Sequence, residues 1–252
     1  MPETNGNAVP TPPKKRNERT EAKFFEDADK LIAEAQRLGA GYDPPNDSAK
    51  LVNLIAKRDE ALAQRTVSQA NDAAEETTRN TRENLFKPLN SDVSSLVEYT
   101  KSAGKPQNEI DALKSIARDI KGTRAKPIDP NNPGNTISVA NLSYVTRTDN
   151  YSRFIEQYET LAIPTGEAIY KTSTHRAKLD AYRQANTDVI QAESASNTSG
   201  ELLDQLTYTD ANSLMNGCIS GKSYIKSKYK STGEPYKNIA KTRFSLPSRL
   251  RK

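Results

Sequence analysis

Residues 48–87 hold neither glycine nor proline, and their large apolar side chains thin out along the run. Such a stretch has no residue at which to turn, so it predicts one long helix. Leu51, Leu54, Ile55, Leu62 and Val67 recur at three- and four-residue steps and make an early apolar stripe. After Val67 the stripe shrinks to Ala70, Ala73 and Ala74 among Gln, Asn, Asp, Glu and Thr. A helix draws most of its stability from packing an apolar face. One with so narrow a face either runs out of partners or packs closely through alanine.

The same economy holds along the whole chain. Leu, Ile, Val and Phe together make 45 of the 252 residues, and mean hydropathy is −0.82. That is too little for one thick-cored globule of this length. Trp is absent and Gly numbers 11, which disfavours a β-rich fold. The chain is therefore expected to be all-α and thin-cored.

Other helices follow from the same periodicity. Phe24, Ala28, Leu31, Ile32, Ala35 and Leu38 predict a helix from about Arg19 that stops at Gly39 and Gly41. Pro88 marks a break, and Leu89, Val93, Leu96 and Val97 continue to Gly104. Ile110, Leu113, Ile116, Ala117 and Ile120 predict a short helix ending at Gly122. Residues 125–141 contain three prolines and four asparagines, the composition of a linker or extended crossover. Beyond it, Tyr151, Phe154, Ile155, Tyr158 and Leu161 predict one helix. A second runs over 167–195, with a break at Asn197-Thr198-Ser199-Gly200. Leu202, Leu203, Leu206, Leu214, Ile219 and Ile225 line a third long element, in which Gly217 and Gly221 either weaken the helix or allow close contact.

The two halves share a plan. Gly104-Lys105-Pro106-Gln107-Asn108-Glu109-Ile110 and Gly233-Glu234-Pro235-Tyr236-Lys237-Asn238-Ile239 both read G-x-P-x-x-x-I. The turn Asp43-Pro44-Pro45 corresponds in order to Ile163-Pro164-Thr165. The expected organisation is a disordered tail over 1–18, helical repeat 1 over 19–124, a linker over 125–149, helical repeat 2 over 150–244 and a basic tail over 245–252. The two related antiparallel units would form an elongated helical bundle.

Little in the chain suggests catalysis or a bound cofactor. His175 is the only histidine, residue 172 is Thr, and no Glu-x-x-His pair exists for a helical-bundle metal site. His175 is expected on a helix surface. Cys218 is the only cysteine and is expected to be a buried structural thiol. Gly217-Cys218-Ile219-Ser220-Gly221-Lys222-Ser223 ends like a phosphate loop, but its glycine spacing is one residue short and no strand precedes it. No catalytic, metal or cofactor residue and no small-molecule substrate is assigned. No stretch is apolar enough for a membrane span, and the first residues lack the apolar core of a secretory signal, so the expected location is cytoplasmic.

The clearest functional signal is charge asymmetry. The net charge is +5, yet residues 222–252 carry ten basic side chains against Glu234 alone. The candidate contact residues are Lys222, Tyr224, Lys226, Lys228, Tyr229, Lys230, Lys237, Lys241, Arg243, Arg249 and Arg251. Interleaved with aromatics, these cations suit phosphate neutralisation and base stacking. The same residues also suit a hydrated surface, or contact with an acidic protein or a second copy, and the last of them, in 245–252, also suit contact with the acidic part of this chain itself. The leading expectation is a non-enzymatic structural or protein-interaction helical scaffold, as part of an oligomer or a larger assembly. Nucleic-acid binding through 222–252 is the alternative.

Asn150-Tyr151-Ser152-Arg153-Phe154-Ile155-Glu156, Tyr224-Ile225-Lys226-Ser227 and Tyr236-Lys237-Asn238-Ile239 resemble a bacterial family of two-repeat all-helical proteins with no assigned function. In the first half, Tyr42-Asp43-Pro44-Pro45-Asn46, Phe86-Lys87-Pro88-Leu89 and the run from Ile116 to Arg124 resemble the same family. The resemblance covers most of 20–245 and implies two related helical halves around a middle linker. Pro164-Thr165-Gly166 departs from the Tyr-x-Pro turn of the first half. The resemblance implies no catalytic residue.

Overall fold

The computed structural model describes residues 18–122 and 143–251, and these are helical with no strand among them. In chain order the α-helices are α1 (Glu18–Leu38), α2 (Leu51–Phe86), α3 (Leu89–Ser102), α4 (Gln107–Lys121), α5 (Tyr144–Thr160), α6 (Thr172–Asp204), α7 (Leu214–Tyr229) and α8 (Glu234–Ile239). Short 3-10 turns lie at Asp47–Ala49 and Ala168–Tyr170, and a π-helical turn at Gln205–Thr209 follows α6. None of these helices is long and apolar enough to cross a membrane. The tail expected over 1–18 lies outside the described residues except for Glu18, which opens α1. Of the expected linker, 125–142 also lies outside them, whereas 144–149 are the first residues of α5, behind a Ser143 cap that accepts the Thr146 amide.

Local chemistry explains most helix ends. Gly122 takes the left-handed conformation at φ +68° and closes α4. Asn46 accepts the Ser48 amide at 3.0 Å and starts the 47–49 turn. The expected break at Asn197-Thr198-Ser199-Gly200 does not occur, and α6 continues to Asp204. The reason is tertiary. Ser199 and Leu203 are both buried, and the Ser199 carbonyl accepts Gln64 Nε2 at 3.0 Å, so packing overrides the weak helix propensity of this segment. The element expected from Leu202 through Ile225 is instead interrupted by the π turn and by Asp210–Ser213 before α7 begins.

The chain forms two compact units, Met1–Gln69 with Thr198–Lys252, and Ala70–Asn197. The sequence reading sets its units at 19–124 and 150–244. Packing groups the chain differently, because α1 meets α7 and α8 at the far end of the sequence. In the first unit, Leu31, Leu54, Leu214, Cys218 and Ile225 are among the fully buried core residues. Phe24 packs edge-on against Phe25, Tyr208 and Phe244. Tyr42 donates to the Ala49 carbonyl at 2.8 Å, fixing the turn on which α7 rests.

The core of the second unit joins α3, α4, α5 and parts of α2 and α6, with Leu89, Leu96, Leu113, Ile120, Tyr151 and Phe154 buried. Tyr182 packs against Phe86, with ring centroids 4.3 Å apart. Past residue 70, α2 lies beside α6 through polar side chains. Asp72 accepts Ser196 Oγ at 2.6 Å, Asn71 donates to the Ala195 carbonyl at 3.3 Å, and Arg79 bridges Glu75 and Glu193. The sequence reading gives the inner stripe of this stretch to alanine. The structure turns Asn71, Glu75, Thr78 and Arg82 inward and leaves Ala70, Ala73 and Ala74 exposed.

Candidate functional site

The basic segment belongs to the first unit. Leu214, Gly217, Cys218, Gly221 and Ile225 fall on one buried face of α7, and Lys226 and Lys228 of its last turn are exposed. Ser213 caps the helix by accepting the Asn216 amide. Then α8 starts after Gly233 with Pro235 in its first turn, and Ile239 is buried beneath it.

Several of the candidate cations bond to this chain. Lys222 donates to the carbonyls of Ala240 at 3.0 Å and Thr242 at 2.7 Å, and so ties α7 to the chain leaving α8. Burial holds its ammonium below the ordinary lysine pKa, against the opposing pull of Asp27. Lys228 donates to the Gly41 carbonyl at 2.7 Å and to Tyr224 Oη at 3.3 Å. Arg249 is only 12% exposed and binds Glu21 at 3.1 Å and Asp204 at 2.5 Å. Arg251 donates to the Leu246 carbonyl.

The contacts continue through the backbone. Asp27, buried on α1, accepts the Arg243 amide at 3.0 Å, and Glu34 accepts Asn238 Nδ2 at 3.2 Å. A hydrogen bond from Arg37 holds the Glu34 carboxyl below the usual carboxylate range. Part of the basic segment thus docks on acidic residues of α1, one of the readings that the charge asymmetry had left open. The remaining candidates, Lys226, Lys230, Lys237 and Lys241, are exposed, as is the Arg243 side chain.

The aromatic residues of the segment serve packing. Tyr224 stands edge-on to Tyr42 at 5.6 Å and accepts the Asp43 amide. Tyr229 donates to the Gly41 carbonyl at 3.2 Å, and Tyr236 lies beneath Lys226, 5.8 Å from the ammonium. Tyr224, Tyr229, Tyr236 and Phe244 are each partly buried against the core. What remains outward is a set of exposed lysines rather than free rings.

The phosphate-loop lookalike is also a packing device. A Cβ at Gly217 would stand 2.5 Å from the Ser48 carbonyl oxygen, and one at Gly221 2.4 Å from Tyr42 Oη. Cys218 between them is fully buried, and burial pushes its thiol pKa far up, as expected of a structural cysteine. Alkylation of native protein at pH 8 should therefore follow the rate of unfolding and jump when denaturant is added. Fast labelling of the native chain by a small maleimide would show that α7 opens on its own.

His175 corrects another expectation. It is 2% exposed rather than on the surface. It lies on the same α6 face as Leu179, Tyr182, Asn186 and Val189, all buried. That four-three-four-three spacing is legible in the sequence and is the signal that locates the ring. Family models, curated proteins and solved structures, when compared with this chain, give no match.

Proposed function

We propose that this chain is a non-enzymatic helical scaffold that presents an outward helix face to a protein, in the first instance to another copy of itself. The observation that carries this reading is the outer face of α2. Val67 is 49% exposed there, and Ala70, Ala73 and Ala74 are exposed while polar residues face inward. Small side chains let a second helix approach closely, and an alanine face places no charge in its way. The two-repeat plan belongs to the same reading. It is supported by the parallel placement of the two G-x-P-x-x-x-I motifs, which enter α4 and α8 and end in the buried Ile110 and Ile239. A cytoplasmic setting goes with it.

Light scattering at micromolar concentration should give a mass above that of one chain. Ala70→Glu with Ala74→Glu should reduce it to one chain while far-UV circular dichroism stays unchanged. A wild-type chain that is monomeric at that concentration and recovers no partner in a pull-down would end the proposal.

The exposed Lys226, Lys230, Lys237 and Lys241 favour nucleic acid as the second reading. Deleting 222–252 is a poor test, because Ile239 and Arg249 are part of the first unit's packing. Replacing these four lysines by Gln is the better one. If they neutralise phosphates, each replacement flattens the dependence of log affinity on log salt by about one. Absent or salt-insensitive binding of the wild type dismisses this reading.

A further inference from the structure

We propose that His175 is an acid-sensitive latch that fastens the α5–α6 connection, residues 161–171, to both of its flanking helices. The imidazole reaches two elements at once. Its Nε2 stands 2.8 Å from the Ile169 carbonyl oxygen, and its Nδ1 stands 2.7 Å from Tyr151 Oη on α5. A carbonyl only accepts, so Nε2 carries the proton and Nδ1 accepts from the Tyr151 hydroxyl. Both bonds are satisfied by one neutral tautomer.

Adding a proton breaks that arrangement. An N–H at Nδ1 would face the Tyr151 O–H at 2.7 Å, and the hydroxyl would have to turn its own proton elsewhere. Tyr151 is completely buried, with Phe154, Leu179 and Tyr182 in the same core. The charged ring would also be nine-tenths or more out of water, where an unpaired charge is costly. The titratable and charged groups acting on this ring are Tyr151 of α5, Lys178 of α6 and Asp92 of α3. Asp92 is a carboxylate that attracts an imidazolium here, but it is engaged by Lys178 at 2.6 Å. Arg176 turns outward to Glu159.

The connection is the piece that gives way. Beyond the single 3-10 turn at Ala168–Tyr170, its backbone is held by side chains. Tyr99 donates to Pro164, Tyr158 to Tyr170, Thr174 to Ala168, and His175 to Ile169. Residues 166–169 and 171 are exposed, so the shortest route to water for a charged ring is to release this segment and the first turn of α6.

The sign follows from linkage. Burial holds the His175 pKa below its ordinary value, with Lys178 acting in the same direction and the Ile169 bond and Asp92 against it. The opened state takes up its proton near pH 6.5, while the closed state refuses it until lower pH. The closed form is therefore fully favoured above about 6.5 and loses ground as pH falls below that, by up to about tenfold per pH unit. In a chain with one histidine, whose Cys218 is pushed upward, the interval between the carboxylates and the amines belongs to this ring.

The single histidine makes the test direct. Nitrogen-15 NMR of wild-type protein at neutral pH should show the Nε2–H tautomer, titrating below 6.5. Hydrogen exchange, corrected for intrinsic rates, should lose protection over 161–178 in that same interval, while peptides of α1 stay constant. His175→Gln should abolish that pH dependence. An Nδ1–H tautomer, a midpoint at 6.5 with constant protection, or an unchanged pH response in His175→Gln would overturn the latch. Should His175→Gln not fold, the wild-type tautomer and exchange data decide the matter alone.

Discussion

Replacing Arg249 by Ala is expected to lower the stability of the first unit by about 3–5 kcal/mol, the range for removing one member of a buried ion pair. The guanidinium is shared by Glu21 of α1, at 3.1 Å, and by Asp204 at the end of α6, at 2.5 Å. The three side chains are 12%, 5% and 17% exposed, so solvent screens this cluster far less than a surface pair. The change removes a shared cation from two carboxylates that remain in poor contact with water. It also loosens Leu246 and Leu250, which pack on the same core. Arg249→Lys should cost less than Ala but more than a surface change, because an ammonium keeps the charge and loses the fork that spans two acceptors. Urea denaturation checks the size, and Glu21→Gln combined with Arg249→Ala should recover part of the loss if the two groups are coupled. A loss under about 1 kcal/mol for Arg249→Ala would mean that the C-terminal residues detach without consequence, as ordinary surface changes do.

The Arg249 contact also shows where reading the sequence stops. Its partner Glu21 is 228 residues away, and nothing local in either segment specifies the pairing. The charge imbalance of 222–252 was visible, but that Arg249 and the Arg243 amide meet acids of α1 follows from a fold that brings the two ends of the chain together. Features set by near neighbours were legible. The run over 48–87 became α2, Gly122 closed α4, and the apolar spacing around Cys218 buried the thiol. Features set by distant packing were not. Gly200 stays inside α6 because Leu203 is anchored in the core, and the alanines of α2 face outward because Arg79, Asn71 and Asp72 find partners on α6. His175 lies between these cases. Its place on the buried stripe could be counted from the sequence, whereas the Tyr151 hydroxyl that makes burial tolerable required the fold.

Gly217→Ala is expected to destabilise the protein by about 2 kcal/mol, and Gly217→Val by about 3, within the range for overpacking a closely fitted site. Two effects oppose each other. Alanine is a better helix former than glycine by about 1 kcal/mol, so on an exposed face this change would stabilise α7. At position 217, however, the added carbon would lie 2.5 Å from the Ser48 carbonyl oxygen and 2.9 Å from Leu54 Cδ2. A side-chain tip can swing away, but Ser48 lies in the short turn fixed by Asn46 and by the bond from Tyr42 to Ala49, so backbone has to move. The collision therefore outweighs the gain in propensity. Gly166→Ala is the control, since nothing lies within 4 Å of its added carbon and its φ is not positive. There the change should be neutral or stabilising by up to about 1 kcal/mol. The urea midpoint should fall for Gly217→Ala and hold or rise for Gly166→Ala. Should Gly217→Ala behave like Gly166→Ala, α7 cannot be seated on the 47–49 turn, and the glycine pair would owe its place in the sequence to something other than close helix contact.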